Sequence, residues 1–127
     1  MYAIGEVSRL LGLSRDTLRY YEKISILPAV SRNESGRRLY DDKDLSRLRF
    51  VKRAQRMGFS LIEIRQLLIF REDPGSARPA VRKMAREKLT HVEETLGELT
   101  TLRDELLLLI NLCQGSKNGC PILEKMG

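Results

Sequence analysis

Residues 4–23 read IGEVSRLLGLSRDTLRYYEK and predict two short helices separated by a tight turn. Apolar side chains recur at helical spacing up to Gly12, a residue type that commonly follows the end of a helix. Ser14 then provides a favourable N-cap for a second helix over residues 15–23. Two short helices joined by a turn of about three or four residues that contains glycine are typical of a helix-turn-helix.

A small hairpin is expected directly after this helix pair. Ser35 and Gly36 form a turn signal between two short extended arms within residues 31–40. We interpret the segment as a β-hairpin that forms a wing beside the second helix.

Two more helices are predicted downstream of the hairpin. Either Asp41 or Asp42 caps a third helix that runs to about residue 57. Ser60, in a capping box, begins a fourth helix over residues 61–70.

Positive charge is concentrated in the first part of the chain. Residues 1–72 hold 15 Lys and Arg against 9 Asp and Glu, whereas residues 73–127 hold 8 of each. Such an asymmetry is typical of a polyanion-binding lobe joined to a neutral lobe with another role. The composition, 42% hydrophobic and 31% charged, is that of a folded soluble protein. Because neither a membrane span nor a secretion signal is recognisable, we expect a cytoplasmic protein.

Residues 79–112 predict one long helix, because Pro79 suits a first helical turn and the residues after it contain no further proline and only one glycine. Eight positions, spaced alternately four and three residues apart, lie along one side of this helix and form a seam. Seven of the eight are apolar. The positions are Ala85, Leu89, Val92, Leu96, Leu99, Arg103, Leu106 and Ile110. This pattern is typical of a coiled coil, and a lone helix cannot bury such a seam. We therefore expect a homodimer.

The chain is accordingly divided into four parts. Residues 1–72 form the DNA-binding domain with its second helix pair, and residues 73–78 form a linker. Residues 79–112 are the dimerisation helix, and residues 113–127 hold a loop bracketed by Cys113 and Cys120, followed by a short helix.

Long basic side chains are grouped where a helix-turn-helix protein contacts DNA. Arg15 and Arg19 share one face of the second helix, and Arg can bind guanine bidentately or clamp phosphate. Three guanidinium groups on the hairpin would repel one another unless a polyanion lay between them. Tyr20 is expected in the core. The candidate DNA contacts are Arg15, Arg19, Tyr21, Arg32, Arg37 and Arg38.

Several of these segments resemble the MerR family of bacterial transcription regulators. The similarity is carried by IGEV (4–7), TLRYYE (17–22), RNESGRRLY (32–40) and GFSL (58–61), and it continues through the long helix and residues 113–123. The resemblance implies that the same six residues contact DNA. Arg37 departs from the family pattern, which often has Tyr there.

The fold class implied is mainly α: a winged helix-turn-helix DNA-binding domain, a long antiparallel coiled-coil dimerisation helix and a C-terminal effector loop. Family members bind double-stranded promoter DNA in which the spacer between the two polymerase elements is too long. Effector binding makes the dimer bend and underwind that DNA, so that RNA polymerase can open it. An enzyme is not expected, since the chain shows neither a Ser-His-Asp set nor paired carboxylates in a plausible cleft.

Cys113 and Cys120 can either bind a soft metal ion or close a disulfide. The resemblance to the metal-responsive, copper-efflux-regulator-like branch favours metal. His91 cannot join them, because it lies 22 residues before Cys113, about 33 Å along a helix. In an antiparallel dimer in which Leu96 faces Leu99, His91 still lies about 14 Å from the partner's cysteine.

The same register places Arg78 opposite position 117 of the other subunit, in the middle of the cysteine loop. In the branch, divalent-metal sensors carry a third cysteine here and monovalent sensors carry Ser. Two thiolates with one monovalent ion have a net charge of −1, which a guanidinium could compensate. This favours Cu(I), Ag(I) or Au(I). A divalent ion (Zn, Cd, Hg or Pb) and a thiol-redox response stay open as alternatives, and Arg78 could simply be solvated.

Overall fold

Helices dominate the part of the chain that the computed structural model describes, residues 1–28 and 30–114. The elements in chain order are β1 (Tyr2–Ala3), α1 (Ile4–Leu11), α2 (Arg15–Lys23), β2 (Ser31–Arg32), β3 (Arg38–Tyr40), α3 (Asp42–Arg56), α4 (Leu61–Glu72), a 3-10 turn (Pro74–Ser76) and α5 (Pro79–Gln114). The predicted mainly α class is confirmed. No helix among the described residues is both long enough and apolar enough to cross a lipid bilayer.

The helix-turn-helix forms as the sequence predicts. Gly12 ends α1 with a φ of 66°, a left-handed conformation that glycine adopts without steric cost. Ser14 caps α2, and its Oγ accepts a hydrogen bond of 3.0 Å from the backbone N–H of Thr17. These two residues fix where the turn begins and where α2, the recognition helix of the pair, starts.

The predicted hairpin is present and belongs to a three-stranded antiparallel sheet. Strands β2 and β3 pair in the register Arg32 opposite Arg38, and the turn closes through Asn33, whose Oδ1 accepts from the N–H of Arg37. The third strand, β1, pairs with the other edge of β3, with Tyr2 opposite Tyr40. The sequence analysis missed β1, because two residues carry no alternating pattern.

Helices α3 and α4 begin at the predicted caps. Asp41 and Asp44 form a capping box on α3, and Ser60 and Glu63 form one on α4. Helix α4 continues two residues beyond the predicted end. Helix α5 is unbroken and also runs two residues further than predicted, to Gln114.

Two compact units make up the chain, Met1–Lys83 and Met84–Gly127. The predicted division into residues 1–72, 73–78, 79–112 and 113–127 stays a prediction. The loop and short helix expected beyond residue 114 lie outside the described residues.

One hydrophobic core holds the first unit together, and it draws on α1–α4 and on the sheet. Burial of its apolar surface is the main force that orients the recognition helix against the wing. Its largest fully buried side chains are Tyr40, Leu18, Leu27, Leu48, Ile64, Val7 and Val51.

A charged cluster fastens α3 to the end of α4. The Arg47 guanidinium lies 3.2 Å from Asp44 Oδ1 and 2.8 Å from Glu72 Oε1. Burial raises the pKa of Asp44, which is only 6% exposed, and the hydrogen bond from Arg47 lowers the pKa of Glu72. Arg47 therefore compensates the charge of the buried Asp44 carboxylate and also binds Glu72, the last residue before the predicted linker.

We expect Arg47→Met to lower the free energy of unfolding by about 2 kcal/mol, because it leaves the buried Asp44 carboxylate without its countercharge. Urea denaturation at a fixed protein concentration measures the loss. Arg49→Met, at an exposed position on the same helix, should change stability by less than about 0.5 kcal/mol. Equal losses in the two variants would contradict a specific role for Arg47.

Candidate nucleic-acid interface

A basic cleft of about 570 Å³ opens between the helix-turn-helix and the wing. Helix α1 contributes Arg9 to its lining, α2 contributes Arg15 and Arg19, and the hairpin contributes Arg37 and Arg38. One acidic side chain, Glu6, also lines it. Residues far apart in sequence thus present five guanidinium groups to one concave surface, as expected of a surface that binds a polyanion.

Gly5 makes room for one of these arginines. A Cβ atom at this position would lie 2.7 Å from Nη2 of Arg15 and 3.4 Å from its Cζ. Because real Cβ atoms do not come within 3.0 Å of another heavy atom, any side chain at this position would require the flexible end of Arg15 to shift.

The remaining arginines differ in how their charge is compensated. Arg19 Nη1 donates to Asp16 Oδ1 at 3.1 Å, but Asp16 is almost fully solvent-exposed, so this pair is weak. Arg38 lies against Glu22, with 2.5 Å between Nε and Oε2. Arg37 is exposed at the hairpin turn.

Arg32 does not line the cleft. Its guanidinium donates to the carbonyl oxygen of Gly36 at 3.0 Å and lies 3.9 Å from Glu22. Of the five predicted arginine contacts, the structure therefore brings four together at the cleft and places the fifth on the strand beside it.

The prediction that Tyr21 faces DNA is wrong. Its ring is only 4% exposed and packs in the core, where its hydroxyl donates to Gln55 Oε1 at 3.0 Å. Tyr20, expected in the core, is 50% exposed. Tyr21 follows the buried Leu18 by three residues, so the helical repeat itself places it on the apolar face.

Sequence reasoning also missed Arg9. This residue lies in the last turn of α1, and nothing in its local sequence relates it to the wing. The fold alone brings it to the cleft that Arg15 and Arg37 also line.

The C-terminal candidate site is described only in part. Cys113 is half-buried near the end of α5, and Cys120 lies outside the described residues. His91 and Cys113 belong to the same unbroken helix, which keeps them about 33 Å apart. No group of three or more His, Cys, Asp or Glu that could hold a metal occurs within the described ranges.

Two family models match the chain. The model for the MerR HTH family regulatory protein matches residues 2–69, which is more than half of the chain. The model for MerR, DNA binding, matches residues 45–109. The chain belongs to the MerR family of transcriptional regulators. The members of this family are DNA-binding transcription factors, so the predicted class of regulator, rather than enzyme, is confirmed.

Curated relatives that match over nearly the full length of this MerR-family chain include two rhizobial regulators. The HTH-type transcriptional regulator HmrR of Rhizobium leguminosarum bv. viciae is 42% identical over 97% of the chain and 95% of the relative. The heavy metal-dependent transcription regulator 2 of Rhizobium meliloti is 36% identical over 97% of the chain and 84% of the relative.

The solved structures that share the fold include one with a bound metal and one with bound DNA. The transcription regulator PbrR691 from Ralstonia metallidurans CH34, in complex with lead(II), is 32% identical with a TM-score of 0.60, and all of both chains is covered. HiNmlR, a MerR family regulator lacking the sensor domain and bound to promoter DNA, is 26% identical with a TM-score of 0.65 over 89% of this chain and 86% of that one.

We expect Gly5→Ala to weaken DNA binding about fivefold, because the added methyl group displaces the Arg15 guanidinium. Stability should not fall, since alanine is the better helix former. Fluorescence anisotropy with a duplex selected from a random library by the native chain measures the affinity. Gly97→Ala is the matched control, because no atom lies within 4 Å of its added Cβ. Unchanged affinity in Gly5→Ala would show that DNA binding does not depend on the observed position of Arg15.

Proposed function

We propose that this chain is a metal-responsive transcription regulator that binds promoter DNA as a homodimer and responds to a soft metal ion held by Cys113 and Cys120. The observation that carries the DNA-binding part is the cleft lined by five arginines from α1, α2 and the hairpin. The metal-dependent part is supported by the thiolate pair and by the relatives.

At the DNA, Arg15 and Arg19 would enter the major groove from α2 while Arg37 and Arg38 would reach a neighbouring phosphate strand. Arg32 would contribute from the adjoining strand of the wing. Arg9 joins this set on the strength of its place in the cleft, and Tyr20 replaces Tyr21 as the aromatic side chain on the exposed face of α2.

Dimerisation is supported by the apolar surface of α5. In the single chain nine large apolar side chains of this helix are between 46% and 60% exposed. They are Leu89, Leu96, Leu99, Leu102, Leu106, Leu107, Leu108, Ile110 and Leu112. Five of the nine are positions of the predicted seam: Leu89, Leu96, Leu99, Leu106 and Ile110. An exposed apolar seam of this length marks an interface, and an antiparallel copy would bury it, with Leu96 opposite the partner's Leu99.

We expect Leu99→Glu to convert the dimer to a monomer, because it places two carboxylates near the centre of an apolar seam. Analytical ultracentrifugation measures the mass. Leu108→Glu is the matched control, since Leu108 is 60% exposed but lies on the side of α5 opposite the seam. A dimeric Leu99→Glu variant, or a control that dissociates equally, would contradict the seam.

Metal binding is supported by donor chemistry and by two of the relatives. Two thiolates separated by a short loop suit a soft ion. The Rhizobium meliloti relative is a heavy metal-dependent regulator, and the Ralstonia structure contains lead(II). Neither observation identifies the metal that this chain binds. We therefore infer the ion from the net charge of the complex that it would form with the two thiolates.

Arg78 supports a monovalent ion. Its carbonyl oxygen accepts hydrogen bonds from the N–H groups of Val81 and Arg82, which makes Arg78 the N-cap of α5. A cation at a helix N-terminus opposes the helix dipole, so its own helix does not favour it there. In the antiparallel register it would face the partner's cysteine loop and compensate the negative charge of a two-thiolate complex with Cu(I), Ag(I) or Au(I). A divalent ion would make the complex neutral and would gain nothing from this guanidinium.

A thiol-redox response is the second candidate. It is favoured by the spacing of Cys113 and Cys120 in the sequence, because two thiols that bracket a six-residue loop can close a disulfide. The two candidate functions need opposite oxidation states of the cysteines, because a metal ion binds only when both thiols are reduced.

We expect the reduced protein to prefer Cu(I) over Zn(II) in a competition titration, and Cys113→Ser and Cys120→Ser to abolish Cu(I) binding. Arg78→Ser should reduce the preference about tenfold, a change of about 1.4 kcal/mol. Arg82→Ser, one helical turn further along α5, is the matched control. Tighter binding of Zn(II) would overturn the monovalent assignment. Promoter-active protein that has lost two hydrogens, without an added metal mass, would instead establish the redox response.

The response itself would follow the family pattern. Metal binding at the dimer ends would change how the two DNA-binding domains hold the promoter, so that the DNA bends and underwinds for RNA polymerase. Since promoter DNA and polymerase are its partners, the cytoplasm is the compartment in which the chain would act.

A further inference from the structure

Two arginines face each other across the wing. In the antiparallel pairing of β2 with β3, Arg32 lies directly opposite Arg38. Like charges at directly opposed positions destabilise a strand pair. The wing must therefore contain a compensating charge, or else stay poorly ordered until DNA arrives.

Glu22 provides that charge. It lies in the last turn of the recognition helix, and its side chain is only 19% exposed. One carboxylate oxygen accepts from Arg38 Nε at 2.5 Å, and the other lies 3.9 Å from Nη2 of Arg32. Arg32 in turn donates to the carbonyl oxygen of Gly36, so the contact continues into the hairpin turn.

We infer that Glu22 is a positioning residue for DNA binding, which holds the wing against the recognition helix before DNA is bound. Charge-assisted hydrogen bonds at a partly buried position are the stronger kind. With the wing held in place, Arg37 at its turn would meet the DNA without an added cost of ordering the hairpin. The inference rests on the proposed DNA-contacting surface.

Because Glu22 is charged, the inference can be tested by the direction in which DNA affinity changes when that charge is removed. If only net charge mattered, Glu22→Gln would strengthen DNA binding, because it removes a negative charge beside a polyanion site. If Glu22 positions the wing, the same variant binds DNA more weakly. The two explanations predict opposite changes in affinity.

Glu34→Gln is the matched control. Glu34 is exposed on the same hairpin, so its replacement makes the same change in charge. Using anisotropy with the duplex selected by the native chain, we expect Glu34→Gln to bind at least as tightly as the native chain and Glu22→Gln to bind about fivefold more weakly. In a double-mutant cycle with Arg38→Gln, the two losses should not add.

Two results would overturn the inference. One is a Glu22→Gln variant that binds as tightly as Glu34→Gln, and the other is full additivity with Arg38→Gln. If Glu22→Gln does not fold, Arg38→Lys replaces it in the test. Lysine keeps the charge but lacks the planar guanidinium, so we expect weaker binding, and native affinity would overturn the inference. A native chain that binds no duplex would refute the proposed function instead.

Discussion

Electrostatic repulsion among the arginines is the constraint on which the DNA-binding half depends. Five guanidinium groups surround one cleft, although each disfavours the others. The core fixes the helices and strands that carry them, Gly5 leaves space for Arg15, and Glu22 compensates the pair on the wing. Part of the positive charge at the cleft is thus compensated by Glu22, whereas Arg37 stays exposed.

Helix α5 also carries a surface that is unfavourable in the single chain, because its apolar side chains are exposed to water. Its leucines are about half exposed in the single chain, and the residues from 73 onwards have no net charge that would direct them to DNA. An antiparallel copy would bury the apolar seam and would also bring Arg78 toward the partner's thiolates. Under the proposed function one contact therefore joins three properties: the dimer, the metal and the choice of a monovalent ion.

Local sequence signals were sufficient for most of the fold. Gly12, Ser14 and Ser60 determine where helices end and begin through their own backbone and side-chain chemistry, so these boundaries could be predicted. Contacts between distant segments could not. The two-residue strand β1 exists only because β3 has a free edge, and Glu22 meets Arg38 only after the chain folds. Tyr21 is a different case, because its spacing from Leu18 already predicted burial.

Under the proposed function, metal binding changes the shape of DNA to which the chain is already bound. The most direct measurement is the fluorescence of 2-aminopurine placed at the centre of the selected duplex, with the reduced native chain bound, before and after Cu(I) is added. We expect the fluorescence to rise as the central bases unstack while the protein stays bound. Unchanged fluorescence, or release of the protein from the duplex on adding Cu(I), would contradict the claim.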